Sequence, residues 1–232
     1  LAFQPALRNT LTHDDIHQVT YWSVPTDVGD LVRGTFAPWW PPDRGKHLWR
    51  PVTRLSILAQ KVFVAAPEAE GAWVPLYGFN IGAHAAVALL LLVAARRWRM
   101  ALGPAAIGAL IFAVHPIHAE AVHQVVGRAE LLAAFWMLVG LILWTRWGAF
   151  SSHAWWQQSL VYALALGSKE HAVLYPFYLA LASVAGPVGL LPGSGGWVRW
   201  RQTGQWRRLP GLAAVLLGVL VVFLVAKYFV TG

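Results

Sequence analysis

Six long apolar runs, separated by short polar interruptions, follow one another after position 71, and the stretch before it is mixed in character. The runs cover roughly 72–95, 101–115, 130–147, 154–168, 171–191 and 211–230. A membrane-spanning helix needs about 17–25 predominantly apolar residues, so the second and fourth runs are short and depend on packing or on adjoining polar residues. The pattern predicts an all-α polytopic membrane protein with about six transmembrane helices in 72–232. It predicts a long first outer loop with surface helices in 1–71. Within that loop Tyr21 to Pro42, rich in Pro, Gly and Trp, reads as irregular, and Leu55 to Ala65 reads as a surface helix. Pro67 to Gly71 reads as a turn.

The sharpest break in the pattern is Leu110 to Trp136, LIFAVHPIHAEAVHQVVGRAELLAAFW. Proline disfavours helix at the residue before it and suits the first turn of a new one. One helix is therefore expected to end near His115 and a short one to begin at Pro116. Ile117, Ala121 and Val125 recur at i, i+4 and i+8, an apolar stripe that suits a helix lying on a membrane surface. A kink is expected in the fifth run at Tyr175-Pro176. In the first run, Asn80 and His84 share a helix face and are expected to hydrogen-bond inside the bundle.

Composition agrees with a membrane class: 57% of residues are hydrophobic, 12% are charged and 14 are tryptophan. The net charge of +8 raises the question of nucleic acid, and its placement answers it. Arg96, Arg97, Arg99, Arg146, Arg199, Arg201, Arg207 and Arg208 all fall on alternate loops without any acid, whereas the opposite side is balanced. That asymmetry marks the arginine-rich loops as cytoplasmic and gives no nucleic-acid footprint. With no cysteine, thiolate and disulfide chemistry are excluded. Arginine outnumbers lysine 14 to 4 and Ala, Gly, Pro and Trp are abundant, which points to a GC-rich bacterial source and, for a polytopic chain, to its inner membrane. The chain starts outside with no preceding span, so a further helix is expected before Leu1.

Four polar clusters share the outer side: Asp14-Asp15, Arg50 with Arg54, His115 to Arg128, and Lys169-Glu170-His171. Adjacent carboxylates suit a general base, because mutual repulsion raises one pKa; they also suit a divalent cation with oxygen ligands, or simple solvation on a loop. His115, His118 and Glu120 invite a zinc reading, but Pro116 breaks the register between the histidines and no third nitrogen or sulfur ligand is well spaced. Arg128 and Lys169 can hold a phosphate or pair locally.

Several blocks in order resemble one family. Thr12-His13-Asp14-Asp15 resembles its acidic first-loop motif, and Leu48-Trp49-Arg50-Pro51-Val52-Thr53 is similar to its Tyr-Arg-Pro-Leu-Thr block. Leu76 to His84 resembles its Gly-Phe-His-x-x-Asn-x-x-x-His segment, keeping Asn80 and His84. Phe112 to Leu132 is nearly its longest signature, and Gly167 to Val173 resembles its Lys-Glu block. The family is that of the transmembrane and tetratricopeptide-repeat-containing protein O-mannosyltransferases, and the resemblance, over most of residues 9–180, is to its N-terminal membrane part. It implies a GT-C-like helical bundle that transfers a sugar, mannose, from a polyprenyl-phosphate donor to a protein or glycan hydroxyl on the periplasmic or lumenal face. It further implies Asp14 or Asp15 as the base, and by their chemistry His115, His118, Arg128 and Lys169 are the candidates to hold the donor phosphate. Arg50, Asn80, His84, Glu120 and Glu170 would orient them. Six spans without the repeats are fewer than the fold class carries. The alternative is therefore a non-catalytic GT-C-derived subunit of a larger membrane complex.

Overall fold

The computed structural model describes residues 15–16, 21–40, 48–63, 74–147, 152–185 and 209–231. Asp14, the turn at 67–71 and most of the 192–210 loop lie outside these residues. Among the described residues the structure is helical and contains no strand. Its α-helices are α1 (Val28–Phe36), α2 (Pro51–Lys61), α3 (Val74–Arg97), α4 (Leu102–Val114), α5 (Ala119–His123), α6 (Arg128–Trp147), α7 (Ser152–Ser168), α8 (Tyr175–Ala185) and α9 (Leu209–Thr231).

Six of these, α3, α4 and α6 to α9, occupy the places of the six apolar runs. Three carry segments long and apolar enough to cross a membrane: Val74–Arg97, Arg128–Thr145 and Pro210–Thr231. A fourth crossing arises if Leu102–Val114 and Pro116–His123, bent by 47° at their junction, are one broken span. At 17 residues, α7 rises only about 25 Å against a hydrocarbon core of about 30 Å. It packs between α6 and α9.

One core lies among α6 to α9, where Met137, Trp144, Tyr162, Leu166, Tyr175, Leu179, Leu212 and Leu216 are buried together. A polar thread runs through it. The Tyr175 hydroxyl donates to Gln158 Oε1, and Gln158 Nε2 donates to the Gly140 carbonyl at 3.1 Å. A Cβ at Gly140 would sit 1.9 Å from the Tyr175 hydroxyl oxygen, so this close approach requires glycine. A second core joins the segment before α3 to the bundle through Trp22, Trp39, Ile57, Leu58, Leu76, Tyr77 and Val125. At the far end of α3 the arginine-rich turn into α4 places Arg99 at φ 61°. There Arg96 Nη1 donates to the Met100 carbonyl at 2.7 Å, a cation closing a helix C-terminus.

Four local expectations are corrected. The 21–42 stretch is not all irregular: Asp27 caps α1, its Oδ1 accepting from the Asp30 backbone N–H at 2.7 Å, and Arg33 Nη2 bonds Asp30 Oδ1 at 2.6 Å. Asp27→Ala is expected to weaken this helix by about 1 kcal/mol, read as faster hydrogen exchange confined to the α1 amides. The surface helix expected at 55–65 begins at Pro51, which occupies its first turn. The fifth run has no proline kink. A 3-10 turn, Glu170–Leu174, comes first, and α8 starts at Tyr175 with Pro176 in its first turn, where a missing N–H costs nothing.

The stripe at the corner also fails. The chain does break at Pro116: α4 stops at Val114, His115 is extended, and a 3-10 turn spans Pro116–His118. But α5 ends at His123 because Gln124 is extended, with φ −114° and ψ 135°. Val125 therefore leaves the helical register and is fully buried while Ile117 is 73% exposed. The two share no face.

Candidate functional site

Where α3, α5 and α6 meet α2 and the α7–α8 junction, the polar clusters that are distant in sequence come together. Arg50 precedes α2 and Glu170 opens the 3-10 turn after α7, 120 residues on. Arg50 Nε lies 3.2 and 3.1 Å from the two Glu170 carboxylate oxygens, and Nη2 lies 2.9 Å from Oε2. This is the forked geometry that arginine makes with a carboxylate. Its Nη1 has no partner among the described residues. The Arg50 guanidinium also sits 5.1 Å from the Trp39 ring centroid. Thr53 Oγ1 donates to the Ser168 carbonyl at 2.9 Å, and a Cβ at Gly167 would lie 2.8 Å from Val52. The start of α2 is thus tied to the end of α7.

Lys169, extended between α7 and the turn, donates to Glu130 at the start of α6. His171 Nδ1 lies 3.6 Å from the other Glu130 oxygen. Burial and the Arg50 charge hold the Lys169 ammonium below the usual lysine range, while Glu170 and Glu120 oppose the shift.

These groups open on a cavity of about 500 Å³. Arg50 and Lys169 stand on one wall, and His118, Glu120, Gln124, Val126 and Glu130 stand around them, with Trp39 and Trp40 as aromatic cover. Gly127 also borders it: a Cβ there would fall 2.5 Å from the Ala121 carbonyl oxygen, so the return from α5 into α6 admits only glycine. The cavity offers two cations, an imidazole and two carboxylates at one end of a bundle of apolar helices.

Other expected site residues lie behind this wall. Arg128 is fully buried, with Nε bonding Asn80 Oδ1 at 3.1 Å, Nη1 the Ser56 carbonyl at 3.0 Å and Nη2 the Leu76 carbonyl at 2.9 Å. Its guanidinium lies 4.1 Å from the Phe79 ring centroid. Asn80 Nδ2 then donates to the Gln124 carbonyl at 2.6 Å. This network clamps α2, α3 and the corner to the start of α6, a structural position rather than one facing the cavity.

His84 is buried on α3, with Nε2 3.2 Å from the Ala113 carbonyl. It joins a ring cluster with Phe112 and His118 at 5.3 and 5.1 Å. His84 thus backs His118, the one expected histidine on the cavity. His115 is exposed and its Nδ1 accepts from the Ile117 N–H at 3.2 Å, a capping role away from the cavity. The zinc set of His115, His118 and Glu120 accordingly does not converge, and among the described residues no three His, Asp or Glu do.

Of the acidic pair, Asp15 is fully buried. Its Oδ1 accepts the Val126 backbone N–H at 2.9 Å, and Oδ2 faces the Tyr77 hydroxyl at 3.5 Å. Since Val126 itself borders the cavity, the acidic segment is moored to the cavity wall. Glu130, Gln124, Trp39 and Trp40 are members that sequence reasoning missed. The only available signals were the position of Glu130 at the head of an apolar run and the adjacent indoles.

Helices of membrane length around one polar, ionised cavity define a polytopic membrane protein with a built site at one end of its bundle. No protein-family model and no solved structure matches the chain. Among curated proteins it is 33% identical over 171 residues to the fruit-fly (Drosophila melanogaster) protein O-mannosyl-transferase Tmtc1, an alignment covering 70% of this chain and 18% of that protein. It is 29% identical over 205 residues to mouse (Mus musculus) protein O-mannosyl-transferase TMTC1, covering 82% of this chain and 19% of the relative. Human (Homo sapiens) protein O-mannosyl-transferase TMTC3 is 58% identical over 40 residues, 17% of this chain and 4% of that protein. The chain belongs to this TMTC family. It spans about a fifth of the length of the TMTC1 relatives it matches.

Proposed function

We propose that this chain forms the donor-side membrane part of a GT-C-type glycosyltransferase. In this reading it moves a sugar, mannose, from a polyprenyl phosphate to a protein hydroxyl on the periplasmic or lumenal face. The six apolar helices are read as six spans, with the arginine turn of Arg96 to Arg99 on the cytoplasmic side. The observation that carries the reading is the mooring of the acidic segment, through Asp15 to Val126, on the wall of the same cavity that holds Arg50, His118 and Lys169.

The chemistry follows from charge. The acceptor oxygen attacks the anomeric carbon as the bond from that carbon to the phosphate oxygen breaks, inverting the centre. Negative charge grows on the departing phosphate, and preorganised donors aimed at it lower the barrier. Arg50 Nη1 and the Lys169 ammonium are the donors assigned to it, with His118 beside them. Glu170 and Glu130 hold the two cations in place. The acceptor proton is assigned to Asp14, the chain neighbour of the moored Asp15. A divalent cation on Asp14 is compatible with this reading, and no step depends on one.

Lys169→Met in the full-length protein is expected to lower transfer about 10²-fold, the usual effect of deleting one donor to a developing anion. Membrane insertion should be unchanged. Wild-type turnover in that variant, with lipid-linked mannose and a hydroxyl peptide as substrates, would remove Lys169 from the mechanism.

A further inference from the structure

Two arginines are almost wholly dehydrated among the described residues, and their surroundings differ. Arg128 has an oxygen partner at Nε, Nη1 and Nη2. Arg54, on the inward face of α2 and 8% exposed, bonds one group, its Nη1 donating to the Pro38 carbonyl. Its Nε is buried without an acceptor, its guanidinium lies 4.4 Å from the Trp22 ring centroid, and no carboxylate pairs with it among the described residues. Burial lowers its pKa to about 10. Buried polar groups are nearly always satisfied, and a dehydrated cation without a counter-charge is among the least favourable arrangements in a protein. Such a group marks a place where something else belongs.

A second cavity, of about 410 Å³, adjoins Arg54, walled also by Trp22, Ser23, Thr26, Asp30 and Arg33. We infer that this cavity is a carboxylate subsite, in which Arg54 receives an acidic side chain of the polypeptide acceptor. The charge balance sets the class. Asp30 and Arg33 on the wall neutralise each other at 2.6 Å, which leaves Arg54 as the cation on the wall with no carboxylate partner among the described residues. Lys61 stands outside the wall, donating to the Trp22 carbonyl. A carboxylate matches the one guanidinium on the wall that lacks an acid, whereas a phosphate would also face the Asp30 carboxylate there.

Position sets the source. Trp22 packs edge-on against Trp39 at 5.0 Å, and Trp39 borders the larger cavity, so a pair of indoles separates the two. An extended polypeptide, at about 3.3–3.6 Å per residue, crosses that partition in a few residues. It would set its hydroxyl at one cavity and its acid at the other. The inference rests on the transferase reading with a protein acceptor.

The test is binding of two fluorescent serine-containing peptides to the full-length protein in lipid nanodiscs without donor. One peptide carries glutamates flanking the serine, the other glutamines at the same positions. The glutamate peptide is expected to bind about tenfold more tightly, as for one charge-assisted hydrogen-bonded contact. The preference should vanish in Arg54→Gln. It should vanish too in Val24→Glu, which places a tethered carboxylate on the exposed wall of the cavity and leaves the buried arginine in place. Equal binding of the two peptides, a preference that survives Val24→Glu, or no binding of either overturns the inference. Sugar transfer to the glutamine peptide, measured alongside, separates the two readings. Transfer without an acid preference sinks the subsite alone, and the absence of transfer to either peptide sinks the transferase.

Discussion

Asp14→Asn in the full-length protein is expected to reduce sugar transfer by about 10²–10⁴-fold, the contribution of a positioned general base, with insertion and folding retained. An amide is isosteric with the carboxylate and cannot take the acceptor proton, so chemistry is lost while shape is kept. Its neighbour should behave differently. Asp15 is buried and holds the Val126 N–H at 2.9 Å, a bond that an asparagine oxygen can still accept. Asp15→Asn is therefore expected to be milder, and Asp15→Ala to release the segment from the cavity wall and lower both stability and transfer. The check is a radiolabelled transfer assay beside a detergent-solution melting curve for each variant. Equal turnover in Asp14→Asn and wild type would leave the non-catalytic subunit as the better account of this chain.

The second large effect is on folding. Arg128 is fully buried and binds Ser56 of α2 and both Leu76 and Asn80 of α3. Arg128→Met would leave those oxygens without their donor, and each unsatisfied buried group costs about 1–3 kcal/mol. A loss on the order of 3–5 kcal/mol is expected, as when a buried charged network loses one member. Arg128→Lys should rescue little, since an ammonium cannot reproduce the planar fork. The measurement is thermal unfolding of the detergent-solubilised variants. If they melt like the wild type and lose only affinity for a polyprenyl phosphate, Arg128 belongs to the donor site after all.

The residues that were readable in sequence are those whose physics is local. The apolar runs gave the positions of α3, α4 and α6 to α9, because the patterns are long and interrupted by arginines, prolines and glycines. Pro116 marked the corner because the residue before a proline is driven from helical backbone. Convergence of Arg50, Lys169 and Glu170 followed from their shared side of the alternating loops. What could not be read depended on distant partners. Nothing near Arg128 in the chain says that its guanidinium is enclosed by carbonyls 52 and 72 residues away. Pro176 looks the same whether it kinks a helix or starts one, and the deciding element is the 3-10 turn before it. The stripe from Ile117 to Val125 assumed that a helix continues through Gln124, where tertiary burial of Val125 prevails over local periodicity. In α1 the capping signal of Asp27 and Asp30 was present and was outweighed by the surrounding Pro, Gly and Trp.

The most direct examination is a density map of the full-length protein with a polyprenyl-phosphate mannose bound, in a variant carrying Asp14→Asn to hold the substrate. The account predicts the phosphate within hydrogen-bonding reach of Arg50 Nη1 and the Lys169 ammonium, and the sugar turned toward the segment that Asp15 moors to Val126. A phosphate bound at the arginine-rich turn of Arg96 to Arg99, or anywhere else away from Arg50 and Lys169, would contradict it.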